Sequence, residues 1–283
     1  MLRKTLVLAA ALGLAIAGPA MAAGGALHPE KMNWTFDGPL GKFDQGQLQR
    51  GFKVYQEVCA ACHSMNQLSF RNLGEKSGPF YDSHYKNPND NPYVKSIAAG
   101  WALQVPDIDS ETGDAILRPA TTADKFPSPY PNEAAARAGN GGSLPPDLSV
   151  IAKARHGGAD YLHALLTGYR ANPAGLTAPE TMHYNVYFPG DLSSNWSGDH
   201  HAVPPGGLIA MPPPLAPGKV TFDDGAPSSV EQQSRDVSAF LAWAAEPKQT
   251  ERKQTGLAVM IYLLLLSVLV YFSYRRVWRN ESH

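Results

Sequence analysis

The residues with chemistry in them are concentrated in Val58-Cys59-Ala60-Ala61-Cys62-His63-Ser64, where two cysteines three apart are followed at once by a histidine. That spacing, C-x-x-C-H, is the attachment sequence for c-type haem. Two thiols add across two vinyl groups and leave thioethers. The adjacent histidine then lies under the macrocycle, where a ring nitrogen ligates iron. Cys59 and Cys62 are the only cysteines in the chain. A zinc site would need two more ligands at suitable spacing. A redox C-x-x-C belongs beside a βαβ pattern, which the flanking sequence lacks.

A six-coordinate c-type iron needs a second axial ligand, and methionine serves electron transfer because its soft thioether favours Fe(II) and raises the potential. Met65 is too close to Cys62 to reach the opposite haem face, Met32 lies in a leading arm, and Met260 falls in a long apolar run. Met182 and Met211 remain, with His183 as a further alternative. Met211 is favoured because Pro212, Pro213 and Pro214 stiffen its segment, so that a sulfur is held at the iron with little ordering cost.

The elements that must position these groups are helical. Asp44 is a candidate N-cap for a helix in which Leu48, Phe52, Tyr55 and Val58 recur at helical spacing up to Cys59. Short helices are expected over Tyr93 to Trp101 and Asn132 to Asn140, over Leu148 to Arg155 with Asp147 as cap, and over Ala159 to Tyr169. A clear amphipathic helix runs from Val230 to Ala245. Pro79 to Pro131 reads as irregular, and Asn172 to Pro205 is polar and glycine-rich with no periodicity. With 26 glycines and 24 prolines, the domain is loop-rich.

Both ends carry membrane signals. Arg3 and Lys4, the apolar run Leu6 to Ala17 and Ala20-Met21-Ala22 form a secretory leader, with cleavage expected after Ala22. Gly256 to Tyr274 holds no charge and is long enough to span a bilayer. Arg275, Arg276 and Arg279 follow it, so the large domain faces out and the tail in. The expected organisation is a signal peptide over 1–22, a periplasmic domain over 23–250, an anchor over 251–275 and a cytoplasmic tail over 276–283. The net charge is −1; without Arg3, Lys4, Arg275, Arg276, Arg279 and Glu281, 19 basic side chains face 24 acidic ones, a net of −5. Nucleic acid is therefore an unsuitable partner. A basic protein fits; of the acidic clusters Asp107, Asp109, Glu111, Asp114 and Asp223, Asp224, the second is favoured to steer it, being close in sequence to Met211.

Further segments follow the haem sequence in a fixed order: Asn140 to Ser149, Ala154 to Tyr161, Met182 to Gly190, Ile209 to Leu215, and the single C-terminal anchor. With them the chain resembles the cytochrome c1 family, the c-haem subunit of the cytochrome bc1 complex, in a proteobacterial form. The resemblance covers almost the whole mature chain. It implies a mostly α fold: a c-type cytochrome domain with long irregular insertions, plus one C-terminal transmembrane helix. It implies one covalently attached haem c on Cys59 and Cys62, with His63 and Met211 as axial ligands. Arg155 and Tyr161 match residues near a haem propionate, and Asn140, Pro145 and Pro146 match the pocket wall. The implied role is one-electron transfer from the Rieske iron–sulfur protein to cytochrome c, beside cytochrome b in a bacterial inner membrane and without catalysis by this subunit alone. The alternatives are a haem enzyme with an open iron site and a free membrane-anchored shuttle. Some bacterial relatives brace a loop near the haem with a second cysteine pair; this chain has none, which leaves open what braces Asn172 to Pro205.

Overall fold

The computed structural model describes residues 25–199 and 201–280. The expected leader lies outside the described residues, as do His200 and the last three residues. The described chain forms two compact units, one of residues 29–167 and 213–280 and the other of 25–28 and 168–212.

In the larger unit, helix α1 (Gln45–Val54) begins where Asp44 Oδ1 accepts the Gln47 backbone N–H at 2.7 Å. Leu48, Phe52 and Tyr55 are buried from the face that the spacing marks out. They pack on helix α6 (Val230–Ala245), which is capped by Ser229. The two helices meet closely at Gly51, where any side chain would collide with the Asp236 backbone carbonyl. Asp236 is wholly buried there, and Arg50 pairs with it at 2.7 Å while Gln232 donates to both carboxylate oxygens. An aromatic core of Phe52, Tyr55, Phe70, Trp101, Phe126, Phe240 and Trp243 fills the space behind α1. Such rings bury large areas at low ordering cost and set each other's orientation.

Short helices complete this unit. Helix α2 (Pro92–Ala99) starts with proline at its first position and is capped by the buried Asn91. Helix α3 (Glu133–Gly139) is capped by Asn132. Helix α4 is shorter than expected, Ile151–Ala154, and Val150 rather than Asp147 precedes it. Helix α5 (Gly158–Thr167) stops two residues early and packs on α6.

The stretch read as irregular contains a hairpin. Strand β1 (Val105–Ile108) pairs antiparallel with β2 (Ala115–Arg118), with Val105 opposite Arg118. Asp109 Oδ1 accepts the amides of Glu111 and Thr112 in the turn, and Gly113 supplies its positive φ of 76°. Arg118 donates to Asp107 and, at 2.7 and 3.0 Å, to both oxygens of Asp124. The acidic loop is therefore partly neutralised by its own arginine. The second acidic cluster is paired as well: Asp223 lies 3.1 Å from Lys53 and Asp224 2.6 Å from Arg50.

The smaller unit holds a second hairpin, β3 (His183–Asn185) against β4 (Gly207–Ile209), with Tyr184 opposite Leu208. Its small core is Leu176, Tyr184 and Leu192, flanked by Val186, Trp196, Val203 and Leu208. The Tyr184 hydroxyl donates to the Pro205 carbonyl at 2.7 Å, and the Thr177 amide to the Asn195 carbonyl at 2.9 Å. These contacts brace residues 172–205 with no disulfide.

Helix α7 (Gln249–Val277) ends the chain's regular structure. Its apolar stretch has a mean hydropathy of 2.3 and no buried residue, and it is the one helix among the described residues long and apolar enough to cross a membrane. At 1.5 Å per residue its 29 residues extend about 43 Å, more than the roughly 30 Å of a bilayer's hydrocarbon. The fold is thus mostly helical with small sheets and irregular loops.

Candidate haem site

Helix α1 does not end as an ordinary α-helix. Its last turn, Tyr55–Cys59, widens into a π-turn, a feature found disproportionately at functional sites. The chain then curls on itself: the amides of Cys62 and His63 both donate to the Cys59 carbonyl, at 3.1 and 2.9 Å. Both thiols are half-buried and neither is in a disulfide. Burial, together with the neighbouring Cys62, pushes the Cys59 thiol up to about 12.

His63 is fixed from behind. Its Nδ1 lies 2.8 Å from the Pro146 carbonyl oxygen. A carbonyl can only accept, so Nδ1 carries the proton and Nε2 keeps a free lone pair. Burial holds His63 below the ordinary imidazole value, against the opposing pull of the Pro146 carbonyl and Asp147. A neutral imidazole, one nitrogen tied back and the other free, on the same turn as two thiols is the donor set that a covalently bound haem requires.

Asp147, expected as a helix cap, does something else. Its Oδ2 accepts the Ser64 hydroxyl and the Asn66 amide, both at 2.8 Å, and its Oδ1 accepts the Ser149 amide at 2.8 Å. Burial acts to raise its pKa, and the hydrogen bonds from Asn66, Ser149 and Ser64 outweigh that and hold it below the ordinary carboxylate range. The carboxylate ties 64–66 to 147–149 instead of starting a helix. No spacing signal distinguishes these two uses of an aspartate.

Among the other expected site residues, Asn140 closes α3 and donates from Nδ2 to the Ala136 carbonyl at 2.7 Å and the Tyr130 hydroxyl at 3.0 Å. Pro145 is half-buried, and Pro146, whose carbonyl meets His63, is exposed. Arg155 is exposed, and its guanidinium donates to the Ala154 carbonyl at 3.1 Å. Tyr161 is buried; burial raises its hydroxyl pKa, and the nearby Arg155 charge opposes the rise. Met65 is wholly buried in the aromatic core, and Met32 packs with Trp34 and Phe36. Met211 belongs to the smaller unit. It follows β4 by two residues, is half-buried, and its carbonyl accepts the Tyr169 hydroxyl at 3.1 Å. Met182 is also half-buried, and His183 opens β3.

The model of the Cytochrome C1 family matches residues 34–281. The chain belongs to the cytochrome c1 family. A cytochrome c1 is a redox carrier with a covalently bound haem c, which the paired thiols and the tied imidazole suit. Cytochrome c1 of Blastochloris viridis is 40% identical over 98% of this chain and 96% of its own length. Cytochrome b/c1 of Bradyrhizobium diazoefficiens is 42% identical over 98% of this chain, which spans 39% of that longer protein. The cytochrome b-c1 complex catalytic subunit of Candida albicans is 41% identical over 89% of this chain and 78% of its own length.

Proposed function

We propose that this cytochrome c1 is the haem subunit of a quinol–cytochrome c oxidoreductase, taking one electron from a Rieske iron–sulfur protein and passing it to a cytochrome c. The observation that carries the reading is the His63–Pro146 bond on the turn that also bears Cys59 and Cys62. The names of the relatives in Candida albicans and Bradyrhizobium diazoefficiens support assembly with a cytochrome b. When bound, the haem supplies the Fe(III)/Fe(II) couple. The chain's own residues do the rest. Cys59 and Cys62 would hold the macrocycle covalently, and the Nε2 lone pair of His63 would be available to the iron. Met211 would supply a thioether to the iron, which favours Fe(II). Arg155 offers a guanidinium to a propionate, with Tyr161 beside it, since guanidinium and carboxylate pair well. Asn140, Pro145 and Pro146 wall the pocket and keep water from it. The subunit does no substrate chemistry of its own.

The same reading places 1–22 as a cleaved leader, 23–250 in the periplasm, 251–275 in the bacterial inner membrane and 276–283 in the cytoplasm. The arginines at 275, 276 and 279 support that orientation. The test is purification of the intact protein in mild detergent. It is expected to travel with a b-type haem and a [2Fe–2S] EPR signal. Its c-type haem is expected to be reduced by quinol and reoxidised by a basic cytochrome c. A protein that travels alone would favour a free shuttle. A reduced protein that binds carbon monoxide would favour a haem enzyme.

A further inference from the structure

We propose that Asp147 is the positioning residue that sets the hydrogen bond on His63 and, through it, the reduction potential. The inference rests on reading His63 as an iron ligand. Pro146 has no backbone N–H of its own to anchor it, so its carbonyl stands where its neighbours hold it. Those neighbours are held by a ladder. Asp147 accepts from Ser64, Asn66 and Ser149. The Leu148 amide donates to the Ser64 carbonyl at 2.9 Å, and the Gln67 amide to the hydroxyl of the wholly buried Ser149 at 3.0 Å. Residues 64–67 are thereby fastened to 147–149. His63 and Pro146 stand one residue before each segment, and their 2.8 Å bond is the next rung.

Three donors converge on the Asp147 carboxylate, which in its ionised form accepts all of them and donates to none. A fixed carbonyl on Nδ1–H raises the electron density of the imidazole and strengthens Nε2 as a donor to Fe(III). The nearby anion acts in the same sense. Loss of either favours Fe(II) and raises the potential. The asparagine variant keeps the shape but loses the charge and presents an NH2 where an acceptor is needed.

The test uses the full-length, haem-loaded protein in detergent, with two readouts: the midpoint potential by optical titration, and hydrogen exchange of the His63 ring N–H by NMR of the reduced form. Asp147→Asn is expected to move the midpoint upward. It should also speed ring N–H exchange about five- to tenfold, as expected when a hydrogen bond of ordinary net worth is weakened. Ser64→Ala removes one donor and is expected to speed exchange by less. Asp124→Asn breaks the Arg118 pair elsewhere in the same unit and is expected to lower the melting temperature without moving either readout. Melting-temperature loss alone in Asp147→Asn, with midpoint and exchange at wild-type values, overturns the proposal. If Asp147→Asn does not accumulate with haem, unchanged exchange in Ser64→Ala overturns it. A wild-type protein whose spectra lack an imidazole ligand would sink the ligand reading as well; an imidazole ligand indifferent to both variants sinks only the positioning role.

Discussion

At the scale of single residues, polar side chains fasten turns, strands and neighbouring segments to one another. Arg118 is one example. It joins the β1–β2 hairpin to Asp124, whose carboxylate also accepts the Thr121 amide and hydroxyl, both at 2.7 Å. The carbonyls of Asp124 and Thr122 in turn receive the amides of Phe70 and Arg71 beside the aromatic core. Arg118 holds the Asp124 carboxyl well below the usual carboxylate range; burial opposes the shift and the Thr121 amide adds to it. The unfolded chain binds that proton first, near pH 4. The stability from this pair is therefore full above about pH 4 and is lost as the pH falls toward the lower folded value. Asp124→Asn is expected to melt below the wild type at pH 6, and the gap should begin to narrow as the pH is lowered through 4 to 3. Melting curves across that range check it; a gap that stays constant would mean that the carboxylate's charge is irrelevant.

At the scale of elements, the helices that matter to the site were legible where apolar residues recur every three or four positions. Leu48, Phe52 and Tyr55 marked α1, and Val237, Phe240, Leu241 and Trp243 marked α6 with the same ends as observed. Neither hairpin was legible. β1 contains Pro106 and Asp107, residues depleted in strands, and the apolar Ile108 of β1 and Ile116 and Leu117 of β2 are exposed. β3 and β4 are three residues each and are joined across 21 others, so no turn signal links them. The His63–Pro146 contact was hidden because it uses a backbone carbonyl, which every residue has.

Helix α7 is both anchor and fastener. Lys248, just before its first residue, lies 3.0 Å from Glu75, and its first turns bury Thr250 and let Lys253 donate to the Phe36 carbonyl. Two truncations separate these roles. A chain ending at Thr255 is expected to be soluble and haem-loaded with a near-native melting temperature. A chain ending at Pro247 is expected to be soluble but to melt several degrees lower, at about 2–4 °C per kcal/mol lost for a domain of this size. Equal melting temperatures would show that residues 248–253 add nothing to the domain. Failure of both chains to hold haem would show that the apolar helix belongs to the core.

At the scale of the whole molecule, one carrier is built from a helical unit that contains the haem-attachment turn and a smaller unit that contains Met211, with one helix among the described residues that can enter a membrane. The acidic balance of the proposed periplasmic part suits a basic electron acceptor, although Arg50 and Lys53 neutralise the Asp223–Asp224 cluster locally. On the proposed reading, His63 and Met211 are the two axial ligands of one covalently held haem. The most direct measurement is the reduction potential and carbon monoxide reactivity of Met211→Leu in the full-length protein. The variant is expected to carry covalent haem at wild-type occupancy, to have a lower potential because the thioether that favours Fe(II) is gone, and to bind carbon monoxide when reduced. A potential and carbon monoxide response indistinguishable from wild type would contradict that reading and move the ligand to Met182 or His183.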